Sequence, residues 1–537
     1  MEKLLFNGKF VTLEDDVCAE ALLIRDDRIA AIGTLEDVLK VTSEGAERIN
    51  LEGHTVLPGI VDSHNHIISA GRAMGGVLLF GARTIAEACE RIAAKVAELP
   101  PGAWLEGAGW IESQFEENRP ISLAELDAAA PNNPVVLHRL FAGSLANSKA
   151  LELAGIAKGK WQPARGEIER DAEGHPTGYL KNGAQNLANG VIPRAAFGIS
   201  DPLQEKQEAI IRATQEYIRY GITTILEPGV PRSSMRAYHL TQKQGKLPIR
   251  VAMMPEWYGL NAANSDELET LIEGLGVVEG FGDEWLRFAA LKMAMDGGVG
   301  SKTAMMNEPW RDGTQTTLPL RLDLDKLEDY FIEGHDAGWS IGIHCCGDLA
   351  QDIACRTFDK VLTGRERAHR HHIIHGYFPT EEALEIMSRH DIGVSVQPGF
   401  IYVEGDIYED NLEIEKVNTF KPLRTYLDRG IRVFANSDMT SAHYNPFLGI
   451  YSAVTRRTSQ GVQLGSAECI SIEEALQIFI KNGAWYCGLE DSVGSLKVGK
   501  QADLAVLDRD ILSIPSEEIK DVKVIRTLIA GQEVFKA

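Results

Sequence analysis

The chain has 537 residues, 44% apolar and 24% charged, and 77 acids against 54 bases give a net charge of −23. This is the balance of a soluble globular protein, and at about 150 residues per domain the length suits three to four domain-sized units or one large barrel with additions. Seven cysteines are too few and odd in number for a disulfide scaffold, and the acid excess disfavours nucleic acid, anionic membrane surfaces and polyanionic substrates.

No stretch approaches the roughly 20 apolar residues that span a bilayer. The N-terminal residues lack the charged start, apolar run and small-residue cleavage site of an export signal, so the expected compartment is the reducing cytoplasm. Ala21–Arg25 and Arg28–Ile32 flank an Asp-Asp turn and read as a hairpin. At the other end, Ala502–Leu507 and Val522–Ile529 are strand-like, with a turn at Ala530-Gly531. Neither end has the apolar residues for its own core. One small β-sandwich domain built from residues 1–58 and 490–537 is the economical reading.

Between them, short apolar runs alternate with amphipathic helical stretches. The runs are Val56–Asp62, Ile222–Glu227, Ile249–Met254, Leu286–Asp296, Ser340–Cys345, His371–His375, Ile392–Val396 and Ile431–Ser437. Strand–helix alternation implies a parallel sheet, and eight units suit a (β/α)8 TIM-type barrel over 59–489, an α/β fold. A single βα unit needs only about 30 residues, so the gap after the first run holds an insertion, at about 75–200. Its turn signals are Pro100-Pro-Gly102, Pro131–Pro134 and Gly174–Gly178.

In such a barrel the active site lies at the C-terminal ends of the strands. The polar residues there are His64 and His66 after run one, Lys292 and Asp296 in run four, His344 in run five, His375 in run six and Asp438 after run eight. On a strand, His64 and His66 put both rings on one face, with Cα atoms about 6.6–6.8 Å apart, a spacing that can hold one divalent ion; a solvated or structural pair is the plain alternative.

Val56–His66 resembles the opening motif of the amidohydrolase superfamily. Trp104–Trp110, Leu126–Pro134, Asn147–Ile156, Lys292–Gly297, Gly430–Asp438, Leu448–Arg457 and Gly494–Asp503 are similar to one branch, the YtcJ-like amidohydrolases that include N-substituted formamide deformylase. The resemblance runs in order along nearly the whole chain. It implies a divalent metal, zinc foremost, one or two per chain. His64 and His66 would hold the more buried metal, and His344 and His375 the second. Lys292 would be carboxylated and bridge both, and Asp438 would be ligand and proton carrier. Elementary chemistry agrees about Lys292: an ammonium cannot ligate, a carbamate can span metals about 3.5–4 Å apart, and a bare lysine inside a barrel is costly unless paired. The alternative is an ion pair with Asp296 or Asp438. Asp296 is expected to shape the loop after run four.

The sequence departs from the branch at Ile374, where many relatives have glutamate, at Ala142, where histidine is common, and at Ile111, where aspartate is frequent. These changes suggest a more apolar substrate pocket. Trp110, Phe141, Phe400 and Tyr402 are candidate pocket walls, and His443 a candidate substrate contact. Cys345 and Cys346 are read as packing residues, and His371 and His372 as structural or solvent-facing. Gly297–Gly300 lacks the phosphate-loop pattern. The leading expectation is hydrolysis of a C–N bond in an amide, N-formyl or N-acyl amine by metal-activated water. The alternatives are a heterocycle deaminase, a carbamate or urea hydrolase, or a non-catalytic ligand-binding barrel. A homodimer is the expected assembly.

Overall fold

The computed structural model describes residues 2–14, 18–140, 143–163, 166–181, 184–189, 191–192, 201–258, 276–300, 302–315 and 322–537. Eight parallel strands form the central sheet: β1 (Ile60–Asp62), β2 (Ile222–Val230), β3 (Arg250–Tyr258), β4 (Leu291–Ala294), β5 (Ile341–Cys345), β6 (His372–His375), β7 (Gly393–Val396) and β8 (Val433–Ala435). Each pairs with the next in sequence order, the order of a (β/α)8 barrel. From β1 to β8 the join is made largely by side chains. Ser63 Oγ donates to the Ala435 carbonyl (2.9 Å), Ser437 Oγ to Asp62 (2.6 Å) and the Asp438 amide to the His64 carbonyl (2.9 Å).

Helices lie between strands where amphipathic stretches were expected, among them Pro202–Tyr217, Leu327–Asp336, Glu381–Arg389 and Leu423–Asp428. Two expected runs are each divided. Leu286–Asp296 yields a short strand, Leu286–Phe288, beside β3, and then β4. Val56–Asp62 splits at Gly59. Thr55–Pro58 pairs with Leu504–Leu507 and with Phe10, whereas Ile60–Asp62 is β1. The break requires glycine: a Cβ on Gly59 would meet Thr223 Oγ1 at 2.1 Å.

The chain ends share one sheet, in the order Gln532–Lys536, Val524–Ile529, Leu504–Leu507, Thr55–Pro58, Glu2–Val11, Cys18–Arg25, Arg28–Gly33, with Glu47–Asn50 also on Glu2–Val11. Its core holds Leu5, Phe10, Leu22, Ile24, Val56, Leu504, Val506 and Leu528. Arg250, at the start of β3, is fully buried and grips Asp503 at 2.8 Å; the charges satisfy one another, as burial demands.

By compactness the chain forms two units. One is Met1–Asn65, Thr214–Asp438 and Tyr444–Ala537, containing barrel and chain-end sheet; the other is His66–Ala213 with Met439–His443. The second unit has its own six-stranded sheet, from Val77–Leu78 through Leu105–Trp110, Val135–Arg139, Ser144–Ala146 and Pro176–Lys181 to Glu167–Arg170. It also has its own apolar core around Leu79, Ile85, Ile92, Trp110, Leu126 and Leu137.

Candidate metal centre

The nominated residues emerge at the C-terminal ends of barrel strands. His64 lies two residues past β1, Asp438 three past β8, His344 within β5 and His375 at the last position of β6. One ligand atom each from His64, His66 and Asp438 lies within 4.8 Å of the others, and His64 Nε2 is 3.7 Å from Asp438 Oδ1. The loops that carry this group are braced. Asp62 accepts from the amide and hydroxyl of Ser437 (3.0 and 2.6 Å) and from Asn65 Nδ2 (2.9 Å). Asn65 Oδ1 in turn accepts from Tyr217 (2.7 Å). Burial pushes the Asp62 carboxyl up, and the bonds from Ser437 and Asn65 oppose it. Lys292 is buried on β4 in register with Glu256 of β3 and Gly342 of β5.

His375 departs from strand alternation. His372 and Ile374 share a face of β6, and Ile374 packs among Val61, Leu226, Met254 and Phe434. A regular strand would turn His375 away from that face. Its backbone is left-handed, at φ +83°, and its Nε2 comes within 2.9 Å of His344 Nδ1. Asp438 is also left-handed, at φ +49°. Such conformations cost about 1–3 kcal/mol each outside glycine and are concentrated at functional sites.

The partners of the two rings fix where the protons sit. His344 Nε2 faces the Gly297 carbonyl at 3.0 Å, which only accepts, so Nε2 carries a hydrogen. His375 Nδ1 faces Gln397 Oε1 at 2.8 Å, and the same oxygen accepts from the Lys421 ammonium at 2.8 Å. His375 Nδ1 therefore carries the hydrogen, and Nε2 the lone pair. Burial, then the neighbouring His344, holds the His375 pKa well below the usual range, so the ring is neutral. The two ring nitrogens thus face one another at 2.9 Å, and as neutral imidazoles they would offer lone pairs to the same space. That donor set fits a cation, and neutral imidazole is the commonest metal ligand.

The sequence reading missed Lys421, Gln397 and Asn436. Lys421 is fully buried; it donates to the His375 carbonyl (3.2 Å) and lies 3.7 Å over the Tyr377 ring and 4.9 Å from the Phe400 ring centre. Burial pushes its pKa down to about 7. Gln397 Nε2 donates to Asn436 Oδ1, and Asn436 Nδ2 to Ser395 Oγ, both at 2.9 Å. Gln397 and Asn436 directly follow β7 and β8, which is the positional signal that could have found them. Lys421, in a Phe-Lys-Pro segment, carries none.

The remaining candidates divide. Phe400 is buried and near-parallel to His375, 6.5 Å between ring centres. Tyr402 meets Tyr451 edge-on at 6.2 Å, and His443 meets Phe80 at 5.0 Å. Trp110 is fully buried in the core of the second unit, stacked on Phe115, its Nε1 directed at the Leu137 carbonyl (3.4 Å); its area goes into packing there. Phe141 lies outside the described residues. Asp296 shapes its loop, accepting from the amides of Met305, Cys346 and Gly347 at 2.8–2.9 Å. Cys345 and Cys346 are buried, and burial raises both thiols. Cys346 Sγ is 3.4 Å from His344 Nε2, the ring nitrogen opposite the one that faces His375, and His344, Cys346 and His375 also place ligand atoms within 4.8 Å of one another. Among the described residues, no helix is long and apolar enough to cross a membrane.

Residues 47–535 match the amidohydrolase family. The chain is similar to YtcJ of Bacillus subtilis (strain 168), 28% identical over 551 aligned positions covering 99% of each protein. It is similar to the N-substituted formamide deformylase of Arthrobacter pascens, 28% identical across 96% of this chain and 94% of that one. The crystal structure of an uncharacterized metal-dependent hydrolase from Pyrococcus horikoshii OT3 matches with a TM-score of 0.75 and 25% identity, covering 96% of this chain and 99% of that one. The chain belongs to the amidohydrolase family and is a hydrolase of carbon–nitrogen bonds other than peptide bonds.

Proposed function

We propose that the protein hydrolyses the amide bond of a small N-acyl amine, with N-formyl amines the first class to test. The observation that carries the reading is the approach of His344 Nδ1 and His375 Nε2 to 2.9 Å, beside the group of His64, His66 and Asp438. The similarity to a formamide deformylase supports the choice of substrate class.

In this reading His64, His66 and Asp438 would hold one ion and His344 and His375 a second, and Lys292, if carboxylated, would supply an anionic ligand to them. A bound divalent ion, zinc on this donor set, lowers the pKa of water toward neutrality and polarises a carbonyl. Asp438 accepts the proton of the attacking water at its carboxylate and delivers it to the leaving nitrogen. Phe400, next to His375, gives the pocket an apolar wall. A reducing cytoplasm suits the free thiols of the six cysteines whose side chains are described.

The test is purified protein with excess Zn²⁺, screened against N-formyl amines, other N-acyl amines, lactams, carbamates and ureas. Release of an amine and a carboxylic acid in equal amounts is the expected result. Ammonia from a heterocyclic amine, with no N-acyl amine turned over, would replace the reading with deamination.

A further inference from the structure

β1 ends at Asp62, and His64 and His66 follow it. Residues 63–66 are not strand, so no ladder sets the course of the segment that carries them. Asn65, between the two histidines, is held from three directions instead. Its amide donates to the Leu226 carbonyl of β2 at 2.9 Å. Its Nδ2 donates to Asp62 at 2.9 Å and to the hydroxyl of Ser437, the neighbour of Asp438, at 3.1 Å. Its Oδ1 accepts from the Tyr217 hydroxyl at 2.7 Å. The first bond ties the segment to the barrel wall, and the Nδ2 bonds tie it to the loop that carries Asp438.

The bond to Tyr217 acts on those Nδ2 bonds. A carboxamide is one rigid plane on a soft torsion, so turning its oxygen carries its nitrogen away from Asp62 and Ser437. Tyr217 is the last residue of the helix Pro202–Tyr217, is fully buried and meets Tyr444 edge-on at 5.3 Å. Its hydroxyl is therefore a fixed point for Asn65. We propose that Tyr217, acting through Asn65, is a positioning residue that sets the placing of His64 and His66 against Asp438, and with it the affinity of that group for a metal ion. Neither Tyr217 nor Asn65 is asked to touch the ion or the substrate. The inference rests on the reading of His64, His66 and Asp438 as metal ligands.

The experiment is Zn²⁺ binding at equilibrium to the full-length metal-free protein, with the relevant position identified as the one that His64→Asn abolishes. Tyr217→Phe should weaken Zn²⁺ there by about 10-fold, the lower end of what losing a partner behind a metal ligand costs, and leave the other position unchanged. Tyr238→Phe is the control. Tyr238, on the helix Arg232–Lys243, is also fully buried, and its hydroxyl donates to Glu227 of β2; the variant loses a comparable bond without touching Asn65. Both variants should melt at a lower temperature, and only Tyr217→Phe should lose Zn²⁺ affinity. In an Asn65→Ala background, Tyr217→Phe should have no further effect on Zn²⁺, because the two residues act as one unit. The proposal is overturned if Tyr217→Phe binds Zn²⁺ as wild type does, if Tyr238→Phe weakens binding equally, or if the Tyr217 effect persists without Asn65. Should Asn65→Ala not fold, the two phenylalanine variants decide alone. Each of these failures leaves the hydrolytic reading standing, whereas wild-type protein that binds no Zn²⁺ overturns both.

Discussion

The Asp438 amide donates to the His64 carbonyl at 2.9 Å, while the Asp438 carboxylate lies 3.7 Å from the His64 ring. One contact joins the ends of the first and eighth barrel strands; the other brings together the proposed proton carrier and a proposed ligand. Closing the barrel and assembling this half of the site are therefore one event. Asp438→Asn keeps the amide and an oxygen ligand and loses the base. Most of the metal should be retained while kcat falls about 10²–10⁴-fold, measured by elemental analysis beside steady-state kinetics.

Lys292 is asked to hold ions together, so Lys292→Ala should lose metal first. Excess Zn²⁺ with a short carboxylic acid such as propionate should restore part of the activity, because the acid supplies the two oxygens a carbamate would. Metal content before and after rescue checks this. A variant with full metal and near-normal rate would point to a one-ion site on His64, His66 and Asp438.

Ser437→Ala tests the brace. It removes the 2.6 Å bond to the buried Asp62 carboxylate. The cost should be about 1–3 kcal/mol of stability, read from denaturant unfolding of metal-free protein, together with weaker metal binding at His64.

The foot of the barrel should set the response to acid. His371 accepts the Ile341 amide and faces His335 at 2.9 Å, and its own amide points to His369 Nδ1 at 3.3 Å. Burial, then the charge of His335, pushes the His369 pKa down to about 4. Between pH 6.5 and about 4 the unfolded chain binds a proton at this residue and the folded chain does not. Stability is complete above pH 6.5 and falls as pH drops through that window. His369→Asn keeps an acceptor and cannot titrate, so it should flatten the dependence of unfolding free energy on pH by up to one proton.

Trp110→Ala should cost about 3–5 kcal/mol by emptying a fully buried site. Trp110→Phe should recover most of that loss and leave KM unchanged. An altered KM in a Phe variant of normal stability would return Trp110 to the pocket.

The barrel strands were legible because an interior strand must be apolar whatever it does, and the metal-ligand candidates because polar residues at strand ends are conspicuous against that background. The division of Val56–Asp62 at Gly59 was not legible, since the glycine is required by Thr223, which is remote in sequence. The turn of His375 out of register depends on one backbone angle that no local pattern announces. Lys421 was invisible for a different reason. A lysine beside Pro-Leu-Arg reads as solvated, and only the fold shows it buried against Gln397 and two aromatic rings.

The strand Thr55–Pro58 also constrains how the protein is made. It sits between Glu2–Val11, synthesised before it, and Leu504–Leu507, synthesised long after it. On the ribosome, the strand that leads into His64 must wait for more than four hundred residues with one edge open. Open edges of apolar strands invite pairing with the wrong chain. Translation that stops before residue 504 would yield every proposed metal ligand and still leave the strand that leads into the first barrel strand with one edge unpaired. Truncation before residue 504 should therefore resemble loss of the active site, in aggregation as well as in activity.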